Sequence, residues 1–373
     1  MKVCLVGPAY PYRGGIAHFT TVLAREFSKD DDVLVVNFKR LYPSILFPGK
    51  TQFDESESPL MVESERIIDS MNPFTFWRAA RRIKIYEPDL IIFQWWQPFF
   101  AIVYASVLFF LGKVFENRTV FLCHNVLPHE SSPVDRMLIR IGLSRVRRFL
   151  VQSREDMRNL EKIKKDATAA VHPHPIYEVF RTGTMTRERA RDDLGIDGDA
   201  VLFFGYIRQY KGVKFLLEAF AGLRRPGLTL HIVGEFYEPK DDYMQAIETL
   251  GLEDKVVVVD RYVPNEEVEK YFLACDLVVL PYLSATQSGI VQVAYAFERP
   301  VVVTAVGGLP DVVEDGVTGY VVPPGDSGAI AGAIDDFFDK QRAGEMTRNI
   351  AAVKDRFSWA RCRETLIDLL GNG

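Results

Sequence analysis

Short, almost entirely apolar runs alternate with amphipathic segments along the whole chain, and this alternation is the strongest constraint on the fold. Runs such as residues 2–7, 90–95, 201–205 and 277–281 are bounded by turn residues, with helix-period patterns between them. Strands that are apolar on both faces are typical of parallel sheets covered by helices on both sides. The pattern therefore predicts an α/β fold built from doubly wound sheets.

The alternation is interrupted once and then starts again, which indicates two domains. A Pro-rich and polar stretch lies around residues 172–199, and the next apolar run begins near Leu202. A chain of 373 residues also exceeds the usual size of about 100–200 residues for one domain. We predict domains over residues 1–178 and 179–356. Ligands of such sheets bind at the carboxyl ends of the strands, which here points to a cleft between the domains.

Composition excludes several classes of protein. With 48% hydrophobic and 25% charged residues the chain has an ordinary globular composition. Its formal net charge of −5 argues against a protein that binds nucleic acid backbones over a broad surface. The first half nevertheless carries an excess of basic residues and the second an excess of acidic ones. Either the first half attracts an anionic ligand or membrane surface, or the asymmetry is incidental.

The cysteines and the N-terminus point to a cytoplasmic protein. Cys4, Cys123, Cys275 and Cys362 are far apart and lack the spacing of metal ligands, so we predict small buried side chains in a reducing compartment. The N-terminus enters a strand-like run directly, without the apolar region of a signal peptide. The sequence therefore predicts a cytoplasmic location.

The longest uncharged stretch, residues 90–112, has the length of a membrane-spanning segment. Gln94, Gln97 and Pro98 interrupt it, so we predict a buried strand followed by a helix that begins at Pro98. Such a helix is only about 22 Å long, shorter than the hydrocarbon core of a bilayer. Ten basic residues follow within residues 136–165. Beside the apolar helix they indicate either a peripheral membrane footprint or an ordinary solvated helix face.

Two turns between a strand and a helix carry residues that suit an anionic ligand. In the first, Gly14 and Gly15 let the backbone approach a ligand just before a helix begins. In the second, Arg208 and Lys211 lie at a helix start, where cations oppose the helix dipole unless an anion joins them. The pair therefore favours a diphosphate over a merely solvated helix end. The first turn lacks the glycine spacing of both the dinucleotide fingerprint and the P-loop.

The loop after residues 277–281 is small and polar. The hydroxyl groups of Thr286 and Ser288 are suited to hold phosphate or sugar hydroxyl groups, as are the N–H groups of residues 288–290 at the next helix start. The strand predicted over residues 301–304 then ends in a Gly-Gly-Leu-Pro turn. Together the loops predict a second set of ligand contacts.

These motifs, with residues 315–326, resemble the nucleotide-sugar-binding half of family 4 retaining glycosyltransferases of the GT-B fold, or glycosyl transferases group 1. The turn at Gly14-Gly15 and the segment Phe357-Ser358-Trp359 fit as well, so the resemblance covers essentially the whole chain and is strongest over residues 201–326. It implies two Rossmann-like domains facing a central cleft, with helix 357–373 returning to the first. It also implies sugar transfer with retained anomeric configuration and without metal or another cofactor.

Residue by residue, the resemblance implies a catalytic set and a donor-binding set. Lys211 matches the family's diphosphate lysine, and Arg208 lies two positions from the usual arginine, which falls at Tyr206. His124 matches the strand-end histidine that faces the transferred sugar; a satisfied histidine at a strand end is the alternative. The donor-binding set comprises Gly14, Gly15, Gly205, Tyr262, Val263, Thr286, Gln287, Ser288, Gly289, Ile290 and Gln292, with Tyr262 and Val263 at the nucleobase.

The sequence departs from the family at two glutamates. The family's E-x7-E motif falls at Ala285 and Val293 when the chain is aligned on Pro300, and Gln287 and Gln292 are nearby neutral substitutes. This departure leaves the donor sugar open. It also keeps two alternatives: a non-catalytic sugar-nucleotide-binding or scaffold relative, and an epimerase or phosphorylase of the same architecture.

We predict a glycosyltransferase that moves a sugar from a nucleotide-diphosphate-sugar donor to a saccharide acceptor, either lipid-linked or part of a cell-surface polysaccharide. Its partners are the nucleotide sugar, the acceptor and, through the first domain, the inner face of the cell membrane, but no nucleic acid. His129 and Glu130 are candidates for the acceptor side. Asp197-Gly198-Asp199 has the DxD pattern of metal-dependent transferases, but its position before a strand favours an ordinary turn.

Overall fold

The chain divides into two compact units in the computed structural model, which describes residues 1–43, 51–128 and 132–371. The first unit contains Met1–Glu55, Pro59–Pro173 and Phe357–Gly373, and the second contains Ser56–Ser58 and His174–Arg356. The second unit thus begins after Pro173, slightly before the boundary at residue 178 that the sequence predicts.

Parallel strands form one sheet in the first unit. Within its described residues the strands are β1 Lys2–Val6, β2 Asp32–Arg40, β3 Glu65–Asp69, β4 Leu90–Trp95, β5 Thr119–Cys123, β6 Arg148–Val151 and β7 Thr168–Val171. Their order is β3-β2-β1-β4-β5-β6-β7, so the strand order reverses between β1 and β4. Sheets of this kind bind ligands beside such a reversal, at the carboxyl ends of the strands.

Helices cover both faces of this sheet. They are α1 Gly15–Phe27, α2 Pro73–Tyr86, α3 Ala101–Leu111, α4 Lys113–Glu116, α5 Pro133–Leu143, α6 Arg154–Ile163 and the C-terminal helix α15 Trp359–Gly371. One core contains apolar residues of α2, α3 and α5, whereas the other contains those of α1 and α15. Side chains alternate between the cores along each strand, since Cys4 and Val6 enter one and Val3 and Leu5 the other.

The second unit repeats the design. Among its described residues the strands are β8 Ala200–Phe204, β9 Thr229–Val233, β10 Val256–Val259, β11 Leu277–Leu280, β12 Val301–Thr304 and β13 Gly319–Val322, in the parallel order β10-β9-β8-β11-β12-β13. Its helices are α7 Arg187–Leu194, α8 Val213–Gly222, α9 Asp241–Thr249, α10 Asn265–Ala274, α11 Gly289–Ala296, α12 Leu309–Val312, α13 Ser327–Asp339 and α14 Ala343–Val353. The order reverses between β8 and β11, where the predicted cations and polar loop follow these strands.

The uncharged stretch over residues 90–112 forms a strand and a helix, as the sequence predicts. β4 is fully buried, Pro98 begins a short 3-10 turn over Pro98–Phe100, and α3 follows it. None of the helices in the described parts of the chain has the length and hydropathy needed to cross a membrane. The four cysteines are free and buried, which confirms the interpretation of their spacing.

Two elements, β3 and α7, are not predicted by the sequence pattern. β3 lies within a polar stretch from residue 47 to residue 70 whose pattern predicts a long surface loop, and residues 47–50 lie outside the described part. Its sequence, Glu-Arg-Ile-Ile-Asp, has three polar residues out of five, which suits an edge strand. Among the described strands it pairs with β2 alone, and the register of that pairing is irregular. α7 was also missed, since it buries only Ala190 and lacks an apolar stripe.

Candidate functional site

The turn after β8 carries the predicted cations and is fixed against the loop after β11. A single 3-10 turn spans Gln209–Lys211, and α8 begins directly after Gly212. The φ angle of Gly212 is +67°, and a Cβ there would lie 1.9 Å from the carbonyl oxygen of Pro281. The N–H of Leu283 donates to the carbonyl oxygen of Tyr210 over 2.7 Å. Only glycine fits at position 212, so this packing holds the cationic turn beside the polar loop.

The ammonium group of Lys211 lies over an aromatic ring. Its Nζ is 3.6 Å from the ring centroid of Tyr282 and 5.3 Å from that of Tyr210. Within the described residues, no acidic side chain forms an ion pair with it. Burial lowers the pKa of Lys211 to about 8, and the charge of Arg208 acts in the same direction. A partly buried cation without a protein anion is suited to bind a ligand phosphate.

A row of tyrosines stands at the carboxyl ends of three neighbouring strands. Tyr206 follows β8, Tyr237 follows β9 and Tyr262 follows β10. The ring centroids of Tyr206 and Tyr237 are 4.6 Å apart, those of Tyr206 and Tyr262 are 6.5 Å apart, and the Arg208 guanidinium lies 4.7 Å from the Tyr237 centroid. Buried Val263 follows the last tyrosine. Flat rings with an adjacent cation are suited to stack against a planar base.

Tyr206 and Tyr237 are candidates for base binding that the sequence did not predict. Tyr206 stands where the family's usual arginine falls, and Tyr237 belongs to no predicted motif. The available signal was an aromatic residue shortly after each of three successive strands, which meet at one edge of a parallel sheet.

Hydrogen bonds connect the ring beneath Lys211 to the start of α11. The hydroxyl groups of Tyr282 and Ser288 are 3.2 Å apart, and the Ile290 N–H donates to the Ser288 Oγ over 3.2 Å. Ser288 thereby caps the helix. The helix start and the Lys211 ammonium therefore belong to one contiguous, positively polarised surface.

Glycine turns border this helix start on two sides. Gly205 has a φ of +121°, and a Cβ there would lie 3.7 Å from the Ile290 Cγ1. A Cβ on Gly307 would lie 1.8 Å from the carbonyl oxygen of Ala285, and the N–H of the following glycine donates to the Thr286 carbonyl oxygen over 2.7 Å. The turns after β8 and β12 thus hold the loop after β11 between them.

Gly289 lies beside the segment that follows Pro173 in the second unit. A Cβ at this position would lie 3.6 Å from the ring of Tyr177 and 3.7 Å from the Nε2 of His174. The hydroxyl group of Tyr177 and this Nε2 are 3.3 Å apart. The first residue of α11 is therefore packed against the segment that opens the second unit.

Ala285 and Val293 stand at the positions that align with the family's glutamates. Both side chains are apolar and buried. Gln292 is fully buried, and neither its Oε1 nor its Nε2 has a hydrogen-bond partner in the described parts of the chain. Gln287 is only half-buried in the loop. A buried amide without partners costs about 1–3 kcal/mol, so Gln292 has more to gain than Gln287 from a hydrogen bond to a polar ligand.

In the first unit, the predicted glycine turn precedes α1. Gly14 has a φ of +99° and provides no side-chain cap for the helix, while a Cβ on Gly15 would meet no atom within 4 Å. Buried Asn37 holds the preceding loop, because its Oδ1 accepts from the Ala9 N–H over 3.1 Å and its Nδ2 donates to the Tyr10 carbonyl oxygen over 2.8 Å. The turn is rigid on its protein side and open above Gly15.

His124 follows β5 and contacts side chains of β4 and α1. Its Nε2 lies 2.7 Å from the Oε1 of Gln94 on β4, and its ring meets the edge of Phe19 on α1 at 4.7 Å. Trp359 of α15 packs on the other side of Phe19, with ring centroids 4.8 Å apart. A Cβ on Gly7 would lie 2.5 Å from the Gln94 Cγ. Gln94 therefore fills the space beside Gly7 and orients the imidazole.

Gln94 is a functional candidate that sequence analysis missed. It was noted only as an interruption of an apolar stretch, although a fully buried amide inside an apolar strand needs a partner. Its partner, His124, follows the neighbouring strand. This contact is compatible with the alternative of a satisfied histidine at a strand end, and the sugar-facing role of His124 stays a prediction.

The remaining candidates are simpler to place. His129 and Glu130 lie outside the described residues. Asp199 forms an ion pair with Arg225 in the turn before β8, in agreement with the interpretation of that Asp-Gly-Asp sequence as a turn. Within the ranges that the structure describes, no group of three or more His, Cys, Asp or Glu side chains could hold a metal ion.

Residues 198–340, which carry the Lys211 turn, the tyrosine row and the start of α11, match the family described as "Glycosyl transferases group 1". This segment belongs to that family. A D-inositol 3-phosphate glycosyltransferase from Mycolicibacterium smegmatis is 32% identical over 213 residues, which are 56% of this chain and 48% of the relative. The chain thus spans about half the length of the curated relatives that it matches.

Solved structures are similar to the chain along its whole length. The crystal structure of Anabaena Alr3699/HepE in complex with UDP has a TM-score of 0.76 and 21% identity, and covers 100% of both chains. The same protein in complex with UDP-glucose has a TM-score of 0.74 and 20% identity, again over 100% of both chains. The chain therefore has the GT-B fold of two Rossmann-like domains, which confirms the predicted fold class.

Proposed function

We propose that this chain is a retaining glycosyltransferase that uses a nucleotide-diphosphate-sugar donor. The observation that carries the proposal is the Lys211 ammonium, which lies 3.6 Å from the Tyr282 ring centroid, without a protein anion in the described residues. Through Tyr282 and Ser288 it is connected to the start of α11. A cation and a helix N-terminus together suit the two phosphates of a departing nucleoside diphosphate.

The proposed reaction needs no protein nucleophile. The bond between the anomeric carbon and the diphosphate oxygen breaks, and a bond from an acceptor hydroxyl forms on the same face of the sugar. The acceptor proton passes to the leaving phosphate, whose growing charge Lys211, Arg208 and the α11 N–H groups stabilise. Gly14 and Gly15 are proposed to close on the phosphates, and His124 to face the transferred sugar. Neither metal nor another cofactor takes part in this proposal.

The tyrosine row supports a nucleoside as the rest of the donor. Tyr206, Tyr237 and Tyr262 offer neighbouring rings, and the Arg208 guanidinium lies 4.7 Å from the Tyr237 ring centroid. The similar Anabaena protein is bound to UDP and to UDP-glucose in its crystal structures. We therefore propose a uridine diphosphate donor as the first to test. The proposed acceptor is a lipid-linked or polysaccharide saccharide at the cytoplasmic side of the membrane.

The second candidate is a sugar-nucleotide-binding relative that transfers nothing. Ala285 and Val293 favour it, because a buried apolar pair replaces the two glutamates expected to hold the donor. Such a protein would bind nucleotide with the same Lys211 surface but would not break the sugar–phosphate bond. An epimerase or phosphorylase would act on the donor alone or with inorganic phosphate.

A thermal-shift screen against UDP, GDP, ADP, CMP and their common sugar conjugates tests the proposal. A ligand at 100 times its Kd stabilises the folded state by about 2.7 kcal/mol, so a nucleoside diphosphate that binds should raise Tm clearly. Release of nucleoside diphosphate in the presence of saccharide acceptors then separates transfer from mere binding. Turnover by Lys211→Ala should fall roughly 10²-fold or more. If none of the nucleotides changes the Tm, the proposal is wrong.

A further inference from the structure

The exposed side of α2 is both aromatic and basic. Phe74 and Trp77 are 64% and 40% exposed, with ring centroids 5.4 Å apart. Arg78, Arg81 and Lys84 are exposed beside them, and the Arg81 guanidinium lies 5.7 Å from the centroid of a Trp77 ring. The helix contains no acidic residue. Aromatic rings bordered by cations are characteristic of helices that lie at a membrane–water interface.

The neighbouring helix α3 exposes apolar side chains along an open groove. Ile102 and Phe109 are 58% and 62% exposed, and with Ala105 they lie on one face of the helix. The groove has a volume of about 390 Å³ and is closed on its far side by Ile141 and Arg145. α3 has no charged residue at all. Apolar side chains of this size are rarely exposed together on a helix without a partner.

The next helix, α5, combines both features. Val134, Met137 and Ile141 form an exposed stripe, and Arg136 and Arg140 are exposed beside it. The one acidic residue of the helix is engaged in a capping box at its first turn. This division into an apolar stripe and a basic flank is typical of an amphipathic helix that lies on a lipid surface.

These three exposed surfaces are continuous, and we name them together the basic–apolar face. α3 packs between α2 and α5, and all three contribute to the core on the same side of the first sheet. By contrast, among its described residues the second unit exposes only Met244, Val257 and Leu283 as large apolar side chains. The exposed large apolar side chains are therefore concentrated in the first unit, and most of them lie on these three helices.

Charge decides which partner fits the basic–apolar face. A second copy of the chain would bring the arginines of α2 and α5 against identical arginines, which is unfavourable. A bilayer of anionic phospholipid supplies negative headgroups for the basic residues and acyl chains for the apolar ones. The long arginine and lysine stems let their charged groups stay at headgroup level while the rings reach deeper.

We propose that the basic–apolar face docks on the surface of an anionic phospholipid bilayer. The rings of α2 and the apolar side chains of α3 and α5 enter the boundary between headgroups and acyl chains, and the basic residues contact the headgroups. Docking would bring the enzyme to a lipid-linked acceptor, and this consequence rests on the proposed function. Binding to lipid itself can be measured without any sugar transfer.

Co-flotation of the full chain with vesicles tests this proposal. Vesicles of phosphatidylglycerol and phosphatidylcholine should carry the protein upwards at low salt, whereas vesicles of phosphatidylcholine alone should carry far less. Ile102→Glu with Met137→Glu should reduce the bound fraction about tenfold, because both changes place a negative charge where the apolar side chains enter the bilayer. Both side chains are solvent-exposed, so their replacement leaves the core intact. Arg136→Glu with Arg140→Glu should act similarly by removing the attraction.

Met244→Glu with Val257→Glu is the matched control, because these residues of the second unit are comparably exposed. The control should float like the unmodified chain, and all variants should keep their Tm shift with nucleotide. If anionic vesicles bind no protein, or if the variants of the basic–apolar face float like the control, the proposal is wrong. A failed nucleotide response with intact flotation would instead contradict the proposed function alone.

Discussion

At the scale of single residues, Lys211 and His124 are each positioned by one neighbouring side chain. Lys211 is partly buried over Tyr282, and His124 is held by Gln94. The positions of Lys211 and His124 could be predicted, because a strand end followed by a turn is visible in the sequence. Their partners could not, because Tyr282 and Gln94 belong to other strands or loops and only the packing of the sheet brings them close.

The Gln94 contact predicts a change in the titration of His124. Gln94→Glu places a carboxylate where the amide oxygen now lies 2.7 Å from the His124 Nε2, and this favours the imidazolium. His124 should therefore hold its proton to higher pH in this variant than in the unmodified chain. NMR titration of the labelled histidines measures the shift, and His231 in the second unit is the internal control. An unchanged titration of His124 would refute the proposed contact.

Tyr282 offers a matched pair of substitutions. Tyr282→Phe keeps the ring beneath Lys211 and removes only the hydroxyl group that meets Ser288, whereas Tyr282→Leu removes both. The ring contact is worth about 0.5–2 kcal/mol. We expect Tyr282→Leu to weaken nucleoside diphosphate binding severalfold more than Tyr282→Phe does, as measured by titration calorimetry. Equal losses in the two variants would show that the ring does not position the ammonium.

At the scale of elements, the apolar strands and amphipathic helices follow from the sequence, but polar elements do not. β4 and β5 are buried along their whole length, so hydrophobicity alone identifies them. β3 and α7 bury few apolar residues and owe their structure to their neighbours: β3 pairs with β2, and α7 packs against α10. Glycine turns are intermediate, because their residue type is visible in the sequence but the backbone that they meet is not.

The turn after β12 gives the element-scale prediction. Gly307→Ala puts a Cβ 1.8 Å from a backbone oxygen at a φ of +55°, so the loop at residues 284–288 must move. We expect a loss of roughly 1–3 kcal/mol in the free energy of unfolding, with weaker nucleotide binding. Gly332→Ala is the control, because it lies within α13 with no atom within 4 Å and should gain about 0.5–1 kcal/mol. Chemical denaturation that gives the same change for both would contradict this packing.

At the scale of the whole molecule, each unit has its own sheet, core and set of candidate residues. The GT-B fold could be predicted because the alternation of strands and helices starts twice and the motifs after residue 201 resemble one family. The excess of basic residues in the first half also has a structural counterpart, since α2 and α5 present theirs on the basic–apolar face. The exposed rings of α2 were missed, because helical periodicity predicts which side is buried but does not attach meaning to the exposed side.

Lys211 is proposed to bind the diphosphate of the donor, and because its charge depends on pH, this binding should depend on pH as well. Burial lowers the pKa of Lys211 to about 8, so the free protein loses this positive charge as the pH rises through that value. Affinity should therefore be highest below pH 8 and decrease above it. Lys211→Ala lacks this ammonium group, so its affinity at the same pH values accounts for any change in the charge of UDP itself.

Titration calorimetry with UDP at pH 7 and pH 9 tests this claim most directly, with the unmodified chain and Lys211→Ala side by side. The account predicts that the unmodified chain binds UDP about tenfold more weakly at pH 9 than at pH 7. It also predicts that Lys211→Ala binds about tenfold or more weakly at pH 7, with little further change at pH 9. Equal affinity of both proteins for UDP at pH 7 would contradict the assignment of Lys211 and the phosphate site built on it.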